Sequence, residues 1–376
     1  MDIVFLLFVL SAGFVLYVLF IYPALLAVWP VKSRKRQTSS GESPSVTIIL
    51  PVRNGEKWIR QKLESIYALR YPPGRMQIVV ISDGSTDKTA EIAREFDRVE
   101  LLCIPPSGKA GAINAGLAKA RGELLFFTDV RQKLDPDCLH ILAAQFADPA
   151  VGVASGELLI EPTGNPEQDN VGLYWRYEKW IRRRHSEIDS VLGATGAIYM
   201  MRRSLASPLP LNTINDDMHL PFQAFFRGFR LLFVDEALAY DLPTQLQTEF
   251  RRKVRTLAGV YQVIAAFPAL LTPRNRMWVH FLSHKLGRLL LPYALITAFV
   301  ASLFLPWPWN LLMAAGQIFF YGLAAIDPLL PEKMLGKRIT SLVRTFVILM
   351  IATACAASIL FRSSSSFWET PTHSSA

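Results

Sequence analysis

The chain has 376 residues, of which 51% are hydrophobic and only 19% are charged, and its formal net charge is +9. A soluble domain carries about a quarter charged residues, so this composition excludes an ordinary soluble protein and indicates segments that span a membrane. The basic residues cluster beside apolar runs. This favours a topology signal and attraction to anionic lipid headgroups over binding to nucleic acid.

Three long stretches are apolar enough to cross a bilayer. They contain no Asp, Glu, Lys or Arg and cover residues 3–30, 289–326 and 345–361. About 20 apolar residues span a bilayer, so the middle stretch is long enough for two helices. They are divided at residues 305–310, where two prolines prevent a helix from continuing. The sequence therefore predicts an N-terminal anchor in residues 1–30 and three transmembrane helices in residues 285–361.

The loops beside these stretches predict the orientation. Four basic residues lie within residues 32–36 and four more within residues 333–344, whereas the turn at residues 305–310 carries no charge. Under the positive-inside rule both basic loops, and the large segment between them, face the cytoplasm. The first stretch lacks a basic residue before it and exceeds the core of a signal peptide, so an uncleaved anchor is favoured over a cleaved signal.

Between the spans, strand patterns alternate with helical spacing. The strands fall at residues 45–50, 77–81, 99–104 and 123–128. This alternation predicts an α/β fold with a mostly parallel sheet of nucleotide-binding type, in which ligands bind at the carboxyl ends of the strands. Polar residues stand at those ends: Arg53 and Asn54 after the first strand, Asp83 after the second and Asp129 after the fourth.

Two polar loops are candidates for a nucleotide site. In residues 82–87 (SDGSTD) Gly84 permits close backbone approach and Asp83 can accept hydrogen bonds from a base or ribose. The alternative is a helix N-cap, which three residues of this loop can supply. In residues 107–116 (SGKAGAINAG) the amides that start a predicted helix, together with Lys109, suit a diphosphate. The plainer interpretation of this lysine is a solvated side chain in a turn.

Six motifs in one order resemble those of family 2 glycosyltransferases with a GT-A catalytic domain. They are PVRN (51–54), SDGSTD (82–87), GKAGAINAG (108–116), FTDVR (127–131), GATGAIYMMRR (193–203) and NDDMHL (215–220). The similarity covers about residues 45–259, and the flanking spans resemble those of membrane-bound, synthase-like members. The resemblance implies an inverting, hexosyltransferase-type enzyme whose donor is a nucleotide sugar, with UDP as the expected nucleotide.

The resemblance also assigns roles to individual residues. The residues that would line the nucleotide site are Pro51, Arg53, Asn54, Asp83, Lys109 and Asn114. Asp129 matches the first aspartate of the DxD motif, which binds the metal and the diphosphate. Asp217 matches the general base that deprotonates the acceptor hydroxyl, a step that a positioned carboxylate accelerates by about 10²–10⁴-fold. Asp216 beside it would raise the pKa of this base by charge repulsion. The alternative is that residues 215–217 only cap a helix.

Two positions depart from the family pattern. Arg131 stands where the second aspartate of DxD is expected, and an arginine cannot ligate a cation. It would contact the diphosphate directly, leaving Asp129 with phosphate oxygens and water to hold Mg²⁺ or Mn²⁺, unless the site needs no metal. In the Q/R-x-x-R-W motif, Arg252 and Arg255 are retained as contacts for the diphosphate, but Thr256 replaces the tryptophan. This change weakens the prediction of long-chain polymerisation relative to single transfer.

The sequence thus divides into an anchor, a polar linker, a catalytic domain, an interfacial amphipathic segment, three spans and a low-complexity tail. The segments not yet given are the linker at residues 31–44, the GT-A domain at 45–256, the interfacial segment at 257–284 and the tail at 362–376. The predicted enzyme is an integral protein of the bacterial inner membrane. Its cytoplasmic domain would build a surface polysaccharide or glycolipid on a glycan or lipid acceptor.

Two alternatives to this function stay open at the level of sequence. The first is transfer of a single sugar to a polyprenyl phosphate or another lipid acceptor. The second is a non-catalytic membrane partner that binds a nucleotide sugar. The sequence leaves the oligomeric state open.

Overall fold

The computed structural model describes residues 3–31, 43–160, 166–242, 246–331, 334, 336–363 and 367. Most of the predicted linker and tail, and the basic residues 32–36, lie outside the described residues. The chain forms two compact units. The helical unit comprises Met1–Pro30, Pro162–Arg184 and Thr244–Ala376, and the sheet unit comprises Val31–Glu161 and His185–Pro243.

The sheet unit is built on a mixed sheet that has eight strands within the described residues. The strands are β1 Val46–Val52, β2 Met76–Asp83, β3 Val99–Ile104, β4 Leu124–Phe127, β5 Lys133–Leu134, β6 Val151–Ile160, β7 Tyr199–Arg202 and β8 Arg230–Asp241. Their order is β3-β2-β1-β4-β7-β6-β8-β5. The first four strands pair in parallel, as do β6 and β8, whereas β7 and β5 run antiparallel to their neighbours. The predicted mostly parallel sheet is therefore confirmed, and the four predicted strands are β1 to β4.

Helices cover this sheet. They are α3 Glu56–Tyr67, α4 Thr89–Arg94, α5 Gly108–Lys119, α6 Cys138–Ala144 and α8 Asp216–Phe226. The α5 helix packs closely against β1 and β2. Glycine at position 116 permits this approach, since a Cβ added there would stand only 2.8 Å from Ile49 Cγ2. On β1, Ile48, Ile49 and Leu50 are completely buried, as expected for a parallel strand that is covered on both faces.

The carboxyl ends of the central strands lie side by side. Val52 of β1 pairs with Ser82 of β2, and Ile49 of β1 pairs with Phe127 of β4. The polar residues that follow β1, β2 and β4 therefore emerge at the same edge of the sheet, as the strand–helix alternation predicts.

The helical unit contains the apolar helices. They are α1 Ile3–Leu16, α2 Tyr22–Val28, α9 Leu246–Ala266, α10 Trp278–His280, α11 Gly287–Ser302, α12 Trp309–Ile326 and α13 Lys337–Ala356, while α7 Pro166–Ile188 runs from this unit into the sheet unit. Within the described residues, four helices are long and apolar enough to cross a membrane: Ile3–Val28, Trp278–Ser302, Trp309–Leu329 and Lys337–Leu360. The predicted arrangement of one N-terminal and three C-terminal candidate spans is confirmed. The second of these helices begins at Trp278, inside the predicted interfacial segment.

Two polar arrangements hold the helical unit together. The guanidinium of Arg184 donates hydrogen bonds to the carbonyls of Leu26 and Trp29, which neutralises the C-terminal end of α2. Between α12 and α13, the fully buried carboxylate of Asp327 accepts a hydrogen bond of 2.7 Å from the Thr340 hydroxyl and lies 3.2 Å from Lys337 Nζ. The first arrangement connects α7 to α2, and the second connects the end of α12 to α13. Neither contact could be predicted from the sequence pattern of the helices.

Candidate active site

The loops that follow β1 and β2 are hydrogen-bonded to each other. Asn54, which has a φ of 50°, accepts a hydrogen bond of 2.9 Å from the Thr86 amide through Oδ1. Asp87 accepts hydrogen bonds from the amides of Glu56 and Thr89, at 2.9 and 3.0 Å. Burial alone would raise the pKa of Asp87, but hydrogen bonds from the Thr89 hydroxyl and from these two amides lower it below its usual value. Both side chains shape the loops. Asp87 accepts from the first amide of α4, although the N-cap position itself is Lys88.

Asp83 fixes the glycine-rich turn that starts α5. Its carboxylate is 3% exposed and accepts hydrogen bonds from the Ser107 amide (2.6 Å), the Ser107 hydroxyl (2.9 Å) and the Gly108 amide (3.0 Å). Gly108 has a φ of +77°, a conformation that side chains rarely adopt. The negative charge stands at the positive end of the helix dipole. Asp83 therefore places the next residue, Lys109.

Lys109 joins two of the predicted acidic residues. Its Nζ lies 3.0 Å from Asp129 Oδ1 and 3.0 Å from Asp216 Oδ1. The Asp216 side chain is 8% exposed, whereas that of Asp129 is 37% exposed and that of Lys109 is 25% exposed. The group is thus open to solvent on the side of Asp129.

The opposite charges of Lys109 and the neighbouring carboxylates stabilise each other's ionised forms. Burial would lower the pKa of Lys109, but the carboxylates of Asp129, Asp216 and Asp217 outweigh burial and raise it well above its usual value. Burial raises the pKa of Asp216, and the ammonium of Lys109 opposes that rise. Lys109 is therefore a permanent cation that lies among carboxylates, and it is not the solvated turn residue of the plainer interpretation.

The GATG loop packs against Asp217, the predicted general base. The Ala194 amide donates a hydrogen bond of 2.7 Å to the Asp217 carbonyl. A Cβ added at Gly196 would lie 3.3 Å from Asp217 Oδ2, so a larger residue there would crowd the carboxylate. Asp217 is less buried than its neighbour Asp216, which is the first residue of α8. The structure thus brings the last two motifs of the sequence together, next to Asp129.

Arg131 pairs with a carboxylate that the sequence did not single out. Its Nη2 lies 2.5 Å from Asp241 Oδ2, and Gln132 Nε2 donates to the same oxygen at 2.8 Å. Asp241 is 3% exposed and is the last residue of β8. Only its place at the end of an apolar strand could have suggested it. The predicted contact of Arg131 with a diphosphate stays a prediction.

A buried lysine, Lys62, binds the segment that contains Asp129 and Arg131. Lys62 on α3 is 1% exposed and donates hydrogen bonds to the Thr128 hydroxyl at 2.6 Å and to the Gln132 carbonyl at 2.7 Å. Burial lowers its pKa to about 7, although Cys138 and Asp129 act in the opposite direction. Lys62 thus holds both ends of the loop that carries Asp129, and no motif pointed to it.

The remaining predicted residues have other surroundings. The Asn114 amide donates to the Leu209 carbonyl at 2.8 Å and accepts from the Leu209 amide at 2.7 Å, which gives this side chain a structural partner. Pro51 lies within β1, and Arg53 is exposed just after it. The last two predicted residues, Arg252 and Arg255, lie on α9 in the helical unit. Their role at a diphosphate stays a prediction.

Tyr199 has a buried hydroxyl beside the acidic group, which consists of Asp129, Asp216 and Asp217. The residue is completely buried, and its ring stacks on Phe127 with centroids 4.6 Å apart. No described residue forms a hydrogen bond with this hydroxyl. Burial, followed by the charges of Asp216, Asp217 and Asp129, raises its pKa well above the usual value. The hydroxyl therefore stays protonated.

The carboxylates of the candidate site could bind a divalent cation only together with a phosphate ligand. In the part of the chain that the structure describes, no group of three or more His, Cys, Asp and Glu side chains is arranged to hold a metal. Asp129 is the exposed carboxylate of the acidic group, and magnesium is commonly bound through one or two carboxylates together with substrate phosphates. A metal would accordingly be held by Asp129 jointly with a diphosphate.

Comparisons with known proteins agree with these features. A family model described as glycosyl transferase family 2 matches residues 47–209, and one described as glycosyl transferase family group 2 matches residues 131–324. An N-acetylglucosaminyltransferase of Rhizobium leguminosarum bv. viciae is 24% identical over 81% of this chain and 77% of its own length. A beta-monoglucosyldiacylglycerol synthase of a Nostoc species is 25% identical over 70% of this chain and 58% of its own length.

A solved structure shares the architecture. A mannosyltransferase from Pyrobaculum calidifontis, in complex with GDP-Man and Mn²⁺, superposes with a TM-score of 0.72 at 22% identity and covers 95% of this chain and 98% of that one. This likeness confirms the predicted GT-A fold.

Proposed function

Since the chain belongs to the family 2 glycosyltransferases, we propose that it transfers a hexose from a nucleoside diphosphate sugar to a glycan or lipid acceptor. The observation that carries this proposal is the group formed by Lys109, Asp129 and Asp216, with both ion pairs at 3.0 Å. A cation beside the exposed carboxylate at the start of α5 provides the positive charge that a diphosphate requires.

The reaction is a direct displacement. The acceptor hydroxyl oxygen forms a bond to the anomeric carbon of the sugar while the bond from that carbon to the diphosphate breaks, which inverts the configuration. Asp217 takes the hydroxyl proton, and the nucleoside diphosphate leaves with the electron pair. Lys109 stabilises the charge on the leaving diphosphate. A divalent metal held by Asp129 would supply further neutralisation of that charge.

The membrane helices support an acceptor that is delivered at a lipid surface. The uncharged turn at residues 305–310 and the basic residues between the last two spans favour a cytoplasmic sheet unit. One similar protein is named for glucosylating diacylglycerol and another for transferring N-acetylglucosamine. A product that belongs to a surface polysaccharide or a glycolipid of the bacterial envelope fits both names.

A second candidate within this class is transfer of one sugar to a polyprenyl phosphate or another lipid. The specific observation in its favour is Thr256, which stands where processive members have the tryptophan of Q/R-x-x-R-W. Without that aromatic ring, a growing sugar chain lacks the stacking platform that this motif position provides in processive members. Measuring the mass of the product separates one added sugar from many.

The test is a donor screen on the purified full-length protein in detergent, with UDP- and GDP-sugars and a membrane lipid extract. We expect release of a nucleoside diphosphate from one donor together with a glycosylated product. Asp217→Asn should lower turnover by at least about 100-fold, because the base is lost, while donor affinity measured by calorimetry stays within a factor of about three.

The matched control is Glu91→Gln, the same exchange of a carboxylate for an amide on the exposed face of α4. Its turnover should equal that of the unmodified protein. Full turnover in Asp217→Asn would remove the base assignment. Donor binding without any turnover in the unmodified protein would favour the non-catalytic partner instead.

A further inference from the structure

Lys109 occupies the carboxylate that a metal would need. Its ammonium lies 3.0 Å from Asp129, the exposed acidic residue of the group, and also 3.0 Å from the nearly buried Asp216. The ammonium and a divalent cation compete for the negative charge of the same carboxylate, because a carboxylate that is paired with one cation attracts a second one less strongly.

The lysine is held at this position by the backbone in front of it. Asp83 binds the amides of Ser107 and Gly108, the two residues that precede Lys109. The Lys109 ammonium therefore stays close to Asp129 at a high effective concentration. A metal ion from solution has to displace a cation that is attached to the site.

Arg131 removes the help that a second aspartate would give to the metal. The guanidinium of Arg131 stands where the second aspartate of the DxD motif is expected, and it is paired with Asp241. Asp129 is then the carboxylate left for a metal, since Asp216 is nearly buried and already bound to Lys109 and Asp217 is assigned to the proton of the acceptor. One carboxylate shared with an ammonium is a weak site for a divalent cation, whereas a bound diphosphate adds oxygen ligands for the metal and a new partner for the ammonium.

We infer that Lys109 is an internal counterion that occupies Asp129 until a nucleoside diphosphate is bound, so that the metal binds together with the nucleotide and not before it. The identity of that nucleotide rests on the proposed function, but the occupation of Asp129 by Lys109 does not. The inference concerns the order in which metal and nucleotide bind, and it makes Lys109 the residue that sets this order.

The experiment measures binding of Mn²⁺ by electron paramagnetic resonance, which detects the free ion and does not depend on turnover. The full-length protein in detergent is titrated with Mn²⁺ without nucleotide. Lys109→Gln, which removes the charge, should bind Mn²⁺ about tenfold tighter than the unmodified protein, the change expected when one competing ion pair is lost. Adding UDP or GDP should strengthen Mn²⁺ binding more in the unmodified protein than in this variant.

Three variants serve as controls. Lys109→Arg keeps a cation and should bind Mn²⁺ as weakly as the unmodified protein. Lys119→Gln removes an exposed charge from the other end of the same helix and should change nothing. Adding Asp129→Asn to Lys109→Gln should abolish the gain, because the freed carboxylate is then absent.

Removal of the lysine leaves the nearly buried Asp216 without its cation, which can unfold the sheet unit. In that case Lys109→Gln combined with Asp216→Asn leaves Asp129 as the only free carboxylate of the pair, and the gain in Mn²⁺ affinity is still expected. Equal Mn²⁺ affinity of the unmodified protein and both of these variants overturns the inference. Failure of every sugar donor overturns the proposed function instead and leaves the Mn²⁺ result standing.

Discussion

At the scale of single residues, the hydroxyl of Tyr199 is expected to lower the stability of the fold. Its hydroxyl is fully buried and has no hydrogen-bond partner among the described residues, and a buried polar group in that state costs about 1–3 kcal/mol. Tyr199→Phe removes only the hydroxyl and keeps the ring that stacks on Phe127. We expect the free energy of unfolding to rise by about 1 kcal/mol, measured by thermal unfolding in detergent.

The control for this exchange is Tyr71→Phe. The Tyr71 hydroxyl is a satisfied donor, because it gives a hydrogen bond of 2.5 Å to the Pro44 carbonyl. Its loss should lower the stability by about 1 kcal/mol. If Tyr199→Phe destabilises the protein as much as Tyr71→Phe does, the Tyr199 hydroxyl has a partner in solution.

The pair formed by Arg131 and Asp241 is a second case at the residue scale. Asp241 is almost completely buried, so removal of its cation leaves a charge without its partner, whereas removal of both side chains does not. A double-mutant cycle with Arg131→Ala and Asp241→Asn should give a coupling energy of about 1–3 kcal/mol in thermal or denaturant unfolding. Additive effects of the two exchanges would mean that the ion pair does not form in solution.

At the scale of elements, the repeating strand–helix pattern predicted β1, β2 and β4 because each of them is largely buried and reads as one apolar run. The pattern also predicted β3, an edge strand whose residues are only partly buried. The ends of these strands were predictable for the same reason, and with them the placement of Asp83 and Asp129. The start of α5 at Gly108 depends on Asp83, which accepts a hydrogen bond from the Gly108 amide and lies far earlier in the chain.

Residues outside the parallel strands were not predictable in this way. Asp241 reaches the DxD-like segment because β8 pairs in parallel with β6 and extends beside β5, a sheet order that no local pattern encodes. Lys62 belongs to the buried face of an amphipathic helix, where a lysine normally argues against burial. Asn114 lies in a predicted motif, but its amide binds the backbone of Leu209, which follows it far along the chain. Each of these contacts joins residues that are far apart in the sequence, so only the tertiary structure reveals it.

At the scale of the whole molecule, the two units divide the tasks of chemistry and attachment. The sheet unit holds the acidic group, and the helical unit holds all four helices that are long and apolar enough to cross a membrane within the described residues. The chain enters the sheet unit after the first of these helices and leaves it before the other three. A crossing by the first of these helices would place the sheet unit on the side of the membrane opposite to residue 3.

The side on which the sheet unit lies can be tested with the native cysteines. Cys103 on β3 is exposed, whereas Cys138 on α6 is buried, so Cys103 is the reactive thiol of the sheet unit. With Cys355 replaced by Ala, a membrane-impermeant maleimide should label Cys103 in inverted inner-membrane vesicles and not in intact spheroplasts. Asn310→Cys in a chain without other cysteines reports the uncharged turn, and it should label from the opposite side, because a single helix separates it from the cytoplasmic loop. Labelling of Cys103 in spheroplasts would place the acidic group outside, where nucleotide sugars are absent.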